Sequence, residues 1–201
     1  AMEAALAIAI PHDRRIIHII PRAFTLDGQD GIRDPLGMHA FRLEAEVHII
    51  TGAIASIHTL VRCVQATGVG IRDLVLQPLA SGEAVLTDAE QEMGVVLVDI
   101  GGGTTDIAVF IDGSIWHPSI LEVAGNHLTN DLAVGLHTPL STAEETKIRY
   151  GHVIPSSIPA GETVEVLSFG DPPRVSVQRR FISDILEARM AEIFDLIRKQ
   201  I

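Results

Sequence analysis

Apolar and polar residues alternate strictly from Phe41 to Ile49, with Phe41, Leu43, Ala45, Val47 and Ile49 in one set and Arg42, Glu44, Glu46 and His48 in the other. A period of two sends the sets to opposite faces of an extended chain, so a half-buried strand is predicted here. The period then changes: Ile54, Ile57, Val61 and Val64 recur at helical spacing beside Leu60, up to Gly68 and Gly70, predicting a helix that carries Cys63. Upstream, Met2 to Ile10 has helical propensity and stops at Pro11, Arg15 to Ile20 is a β-branched run, and Asp27-Gly28 and Asp34-Pro35 punctuate a loop. Leu74 to Leu76 is expected as a short buried strand, Gln77-Pro78 to Val85 as a helix, and Thr87-Asp88 as the opening of a polar loop. Val95 to Ile100, Ile107 to Ile111 and Ser114 to Ile120 are apolar runs joined by a glycine-rich turn and by Asp112-Gly113, which predicts a three-strand meander.

Two helical patterns follow, one after Ala124-Gly125 through Leu136 and one after Pro139. The second opens Ser141-Thr142-Ala143-Glu144-Glu145, which fits two capping boxes, Ser141 with Glu144 and Thr142 with Glu145. Thr163 to Leu167 and Val175 to Val177 flank Gly170-Asp171-Pro172-Pro173 as a hairpin. The last segment sets Ile182, Ile185, Leu186, Ile193 and Ile197 against Asp184, Glu187, Glu192 and Asp195. Anionic lipid would repel that acidic face, so a core helix is expected rather than a membrane anchor.

Composition narrows the function classes. The chain has 201 residues, 47% hydrophobic, which excludes a disordered protein. Lys and Arg number 15 against 26 Asp and Glu, a net charge of −11, and only 4% of residues are aromatic. Such a chain has neither the basic stripe nor the rings that hold a polynucleotide, so nucleic acid is not expected as a partner. Cys63 is the sole cysteine and cannot close an internal disulfide. With no secretory signal at the start of the sequence, the expectation is a soluble, intracellular protein. The nine histidines show no metal-ligand spacing.

The chemistry concentrates in Val98-Asp99-Ile100-Gly101-Gly102-Gly103-Thr104-Thr105-Asp106. Consecutive glycines between two strands leave backbone N–H groups bare and let an anion approach closely. Asp99 and Asp106 at the strand ends suit the water shell of Mg²⁺, and Thr104 and Thr105 add hydroxyl donors. The alternative is a tight hairpin capped by its own aspartates. No G-x-x-x-x-G-K-[ST] string occurs, and Gly68-Val69-Gly70 has Asp73 where a dinucleotide fingerprint needs glycine. Downstream, Arg174, Arg179, Arg180 and Arg189 form a cationic set suited to an acidic peptide or to a solvated rim.

Val98 to Phe110 resembles the second phosphate loop of the actin, heat-shock chaperone and sugar kinase superfamily. The flanking strings are more specific: His18-Ile19-Ile20-Pro21, Asp27-Gly28-Gln29, Gly31-Ile32-Arg33-Asp34-Pro35-Leu36-Gly37-Met38 and Arg42-Leu43-Glu44-Ala45-Glu46-Val47-His48. They are followed in order by Ala124-Gly125-Asn126 with Thr129 and Asp131, Thr138-Pro139, Lys147-Ile148-Arg149-Tyr150-Gly151, Pro173-Arg174 and Gln178-Arg179. Together these strings, spread over nearly the whole chain, resemble the FtsA family of bacterial cell-division proteins.

The resemblance implies an α/β chain with the actin-like ATPase (ribonuclease H-like) fold, incomplete, and with part of the family's extra subdomain 1C. It implies that 1–51 is the latter part of 1C, 52–93 a segment of 1A, 94–120 the phosphate-loop sheet of 2A, and 121–201 subdomain 2B. The family's Asp-x-Gly-[Ser/Thr] loop, Gly-Gly adenosine motif and amphipathic membrane helix do not occur in the sequence, so a fragment is expected, inactive alone and at most a slow ATPase when complete. The implied cofactors are ATP and Mg²⁺. Asp99 would hold Mg²⁺ through water with Asp106 as the second acid, Gly101, Gly102 and Gly103 would cradle phosphate, and Thr104 would contact it. Glu144 would reach the ribose hydroxyls and Lys147 would lie along adenine, although Glu144 fits equally as a cap for Ser141 or an ordinary ion pair with Lys147. Gln77 stands where relatives orient a water. The implied role is an adaptor that polymerises, links FtsZ filaments to the inner face of the cell membrane at the division site and recruits later division proteins. Arg174, Arg180 and Arg189 would receive the C-terminal peptide of FtsZ. The other roles open to such a chain are a phosphotransferase of the sugar kinase kind and a pilus-assembly ATP-binding protein.

Overall fold

The computed structural model describes residues 9–32, 34–170 and 173–201. The helix expected at 2–10 and the tip of the turn at 170–173 fall largely outside the described residues. The chain divides into two compact units, one formed by 1–97 and 108–118 and the other by 98–107 and 119–201.

In the first unit, β1 (Arg14–Leu26), β2 (Gln29–Ile32) and β3 (Leu43–Ala53) form an antiparallel sheet in the order β2-β1-β3. Asp27 (φ 47°) and Gly28 (φ 86°) make the β1–β2 turn, the paired positive φ values of a two-residue hairpin whose twist matches its strands. The Asp27 carboxylate also accepts from the amides of Phe41 (3.0 Å) and Arg42 (2.7 Å), tying down the loop that returns to β3. Pro21 has no N–H to give the ladder, and the register slips between Pro21 and Ala23. The bulge re-aims Arg22, which pairs with Glu46 at 2.9 Å and stacks 3.6 Å from the centre of the Trp116 ring.

The rest of this unit is helical. Helix α1 (Ile54–Gln65) buries Ile57 and carries an exposed Cys63. Next come α2 (Gln77–Val85) and α3 (Asp88–Met93). Ala108, Phe110 and Ile115 make a small core with Leu79 and Leu86.

Four expectations are corrected in these segments. Phe41 lies before β3 and is fully exposed, because β3 meets its partner only as far as Leu43 opposite Leu26, and Leu43, at that end of the ladder, is exposed too. Leu74 to Leu76 is irregular: the Leu76 amide donates to His18 Nε2 at 3.0 Å instead of to a strand. The polar loop at Thr87 is a helix start, where the Thr87 hydroxyl accepts from the Glu90 amide and Glu90 accepts from the Thr87 amide at 2.8 Å. The fourth concerns the helix after Pro139, below.

The predicted meander is β4 (Val95–Ile100), β5 (Thr105–Ile111) and β6 (Ser114–Leu121), in that order in one sheet. The second unit continues with α4 (Gly125–Gly135), α5 (Leu140–Tyr150), the hairpin β7 (Thr163–Leu167) and β8 (Arg174–Gln178), and α6 (Arg179–Arg198). Helix α6 buries Ile182, Leu186, Ile193 and Ile197, spaced four, seven and four apart on one stripe. They share a core with Leu128 and Leu132 of α4 and with Val164 and Val166 of β7. The core-helix expectation holds. Neither capping box at Ser141–Glu145 forms: α5 begins at Leu140 after Pro139, so residues 141 and 142 already lie inside the helix.

Candidate functional site

The glycine loop closes on itself through a Gly101 amide donating to Thr104 O at 2.9 Å, and a Cβ on Gly101 would come within 3.2 Å of that same oxygen. Gly101 therefore suits this tight turn. None of the three has a left-handed φ, but Gly102 and Gly103 differ from Gly101 in the space beside them. A Cβ on Gly102 would meet only the Asn126 amide at ordinary contact, and a Cβ on Gly103 would meet nothing within 4 Å. The fold has no need of glycine at 102 and 103, so their bareness is useful only to something that approaches the backbone.

Helix α4 sits on the loop through its first two amides. Gly125 N–H donates to Gly101 O at 3.0 Å and Asn126 N–H to Gly102 O at 2.7 Å. A Cβ on Gly125 would press to 3.2 Å from Gly101 O, a tight approach, so this close seat favours glycine. The loop carbonyls are thus occupied by α4, while its central amides, at 102 and 103, donate to nothing among the described residues. A row of such N–H groups beside a helix N-terminus is favourable for anionic oxygen.

The acids sit at the strand ends. Asp99 is half-buried in β4, and Asp106 is buried at the start of β5, where Thr104 Oγ1 donates to it at 3.2 Å. Burial pushes the Asp106 carboxyl above its usual range, opposed by the Thr104 bond and reinforced by the negative Asp99. Its native-state contribution is full while the group is protonated in both states, and it is lost as pH rises through the raised folded value. Asp106→Asn is thus expected to raise the melting temperature at neutral pH by a few degrees, on the order of 1 kcal/mol. The gain should vanish below the carboxylate range, and melts of both proteins at the two pH values measure it; an equal gain at both would place its origin outside this titration. Among the described residues no cluster of three or more His, Cys, Asp or Glu could ligate a metal directly. Asp99 and Asp106 suit a cation that keeps its own waters, as Mg²⁺ does.

Thr105, expected as a phosphate contact, is wholly buried and gives its hydroxyl to Val123 O at 2.6 Å. It anchors the strand to the segment before α4, which leaves Thr104 as the exposed hydroxyl of the pair.

One turn apart on α5, Glu144 and Lys147 pair at 2.7 Å. Lys147 Nζ also donates to Gly125 O at 3.1 Å and to Thr129 Oγ1 at 2.7 Å, and Thr129 Oγ1 donates to Glu144 Oε2. The Lys147 and Thr129 bonds hold the Glu144 carboxyl below the usual range, which excludes the cap of Ser141 and keeps Glu144 charged. Glu144 lines a pocket of about 540 Å³ with Asn126, Thr129, Asn130, Leu140 and Ser141. The structure therefore brings Gly101 to Gly103, Gly125, Lys147 and Glu144 together. Gln77 opens α2 in the other unit.

The three arginines are not gathered in one place. Arg174 lines a cavity between α5 and β7, and Arg180 Nε donates to Ile158 O at 2.9 Å. Arg189 lines a separate pocket of about 310 Å³ with Asp131, Ile185, Ala188 and Glu192. Its guanidinium grips Asp131 with two bonds, at 2.6 and 3.0 Å, and also pairs with Glu192. The roles of Thr129 and Asp131 were missed from the sequence. The signal for Thr129 was its position one helical turn after Gly125.

The chain has the fold of actin-like ATPases. Two solved structures share it: MreB5 of Spiroplasma citri bound to ADP, with TM-score 0.60 and 19% identity over 74% of this chain and 48% of that one, and the PilM–PilN type IV pilus biogenesis complex, with TM-score 0.63 and 15% identity over 98% and 47%. The pattern of the family described as Cell division protein FtsA matches residues 96–201, and that of the SHS2 domain inserted in FtsA matches 1–51. The Cell division protein FtsA of Pseudomonas aeruginosa is 44% identical over 200 residues, which is 100% of this chain and 48% of that protein. The chain belongs to the FtsA family of cell-division proteins. It spans about half the length of the curated relatives it matches.

Proposed function

We propose that the chain carries the phosphate loop and the adenosine-side subdomain of a filament-forming cell-division adaptor, for which ATP with Mg²⁺ is an assembly switch hydrolysed at most slowly. The observation that carries this reading is the pair of bare amides at Gly102 and Gly103, glycine where the fold needs none, beside the Glu144–Lys147 pair. Gly101 to Gly103 and Thr104 would take phosphate oxygens, Glu144 the ribose and the Lys147 stem the base. Bound Mg²⁺ would neutralise phosphate charge, with Asp99 and Asp106 holding its waters. Residues 1–51, 52–93, 94–120 and 121–201 correspond in this reading to parts of 1C, 1A, 2A and 2B. The ADP bound by MreB5 lends support.

The same reading gives the Arg189 pocket to the partly acidic C-terminal peptide of FtsZ, with Arg174 and Arg180 as further partner-binding charges outside that pocket. Asp131 and Glu192 hold the guanidinium in place, leaving a pre-formed contact at the pocket wall. Membrane attachment and recruitment of later division proteins are functions of the whole adaptor. No helix among the described residues is long and apolar enough to cross a membrane.

In a chain of the relatives' full length, sedimentation should depend on ATP and Mg²⁺, and nucleotide-independent assembly would overturn the switch. Arg189→Glu is expected to weaken FtsZ-peptide binding by about tenfold and to flatten its salt dependence, since one attractive charge becomes repulsive. Anisotropy titrations at several salt concentrations, with a melt to confirm folding, check this. Parent-like binding by folded Arg189→Glu protein would remove Arg189 from the contact.

A further inference from the structure

We infer that Thr129, which belongs to no catalytic motif, is the positioning residue of the sugar side of this site, its hydroxyl fixing both Glu144 and Lys147 to α4. The inference rests on the nucleotide reading above. Thr129 lies in the second turn of α4 and is 6% exposed. A hydroxyl has one proton to give and can accept as well. Thr129 gives its proton to Glu144 Oε2 and accepts from Lys147 Nζ at 2.7 Å, with Gly125 O, one turn back at 3.2 Å, as the competing acceptor.

Gly125 O, Thr129 Oγ1 and Glu144 Oε2 use all three donors of the Lys147 ammonium. Oε2 of Glu144 is shared by Lys147 and Thr129, and Oε1 has no hydrogen-bond partner among the described residues. Oε1 is thus the acceptor left to the pocket, and it selects a ligand with a hydroxyl to donate.

Without Thr129, the same two charges would be an i,i+3 pair whose carboxylate side is 43% exposed. Such pairs hold their geometry weakly, because solvent competes and both side chains are flexible. The buried hydroxyl ties the pair to the helix whose first amides hold Gly101 and Gly102, so one residue sets the distance between the sugar-side acceptor and the phosphate cradle.

Thr129→Val keeps the shape and removes the hydroxyl, while Thr129→Ser keeps it. In the present chain, NMR titration of the Glu144 side chain should show its pKa moving up toward the ordinary carboxylate range in Thr129→Val and staying near the parent in Thr129→Ser. An unmoved Glu144 in folded Thr129→Val protein would overturn the inference without any nucleotide being present. In a chain of the relatives' full length, the parent should prefer ATP over 2′,3′-dideoxy-ATP by about tenfold or more. The preference should fall to within about twofold in Thr129→Val and return in Thr129→Ser. A merely structural role would weaken both nucleotides equally and leave their ratio unchanged, and that result would also overturn it. If the parent binds no ATP, the nucleotide reading fails, and the Glu144 titration still decides whether Thr129 positions the pair.

Discussion

Replacing Gly151 by alanine should cost the second unit about 2–4 kcal/mol, one of the larger losses available to a single methyl group. Gly151 ends α5 with ordinary dihedrals, φ −61° and ψ 139°, so backbone strain is not the reason for glycine there. Its amide bonds to Lys147 O at 2.9 Å, and an added Cβ would fall 2.2 Å from that oxygen and 3.0 Å from Leu186 Cδ1 on α6. No rotamer relieves a clash with backbone, so the last turn of α5 must open or α6 must back away from the core. Either movement also loosens Lys147. Urea denaturation followed by circular dichroism measures the loss, with Gly70→Ala as the control, since a Cβ there meets nothing within 4 Å. A cost for Gly151→Ala no greater than the control's would mean that this helix junction is slack.

Gly103→Val is expected to do the reverse, leaving stability close to the parent's while abolishing ATP binding in a chain of the relatives' full length. The new side chain meets no protein atom within 4 Å of its Cβ, and φ at this position is one that L-residues adopt. Its branched methyls would, however, stand where a phosphate must come to reach the amides of residues 102 and 103. A cradle built from main-chain donors works only if no side chain covers it. Losing it should reduce affinity at least a hundredfold, which is roughly 2.7 kcal/mol or more.

The parts of this fold that were legible in the sequence are those fixed by near neighbours. The meander around Gly101 to Gly103, the β7–β8 hairpin and the stripe of Ile182, Leu186, Ile193 and Ile197 all follow from period and turn chemistry. So does the glycine loop as a candidate site. What was not legible depends on partners distant in the sequence. Leu74 to Leu76 has the composition of a strand, but its last amide is taken by His18, 58 positions away. Glu144 fits a local cap, yet it is held by Thr129 from another helix. Arg189 has the charge of a peptide contact, but its placement is set by Asp131, also 58 positions away, which local spacing does not reveal. Thr87 with Glu90 is the exception, because that capping box was present in the sequence and was missed.

Calorimetric titration of ATP·Mg into chains of the relatives' full length, parent and Gly103→Val, with melts of both, tests the nucleotide cradle most directly. Saturable binding to the parent and none to an equally stable variant is the expected result. Equal affinity in the two proteins would show that the bare backbone at Gly103 takes no part in binding, and the phosphate site would have to be sought elsewhere.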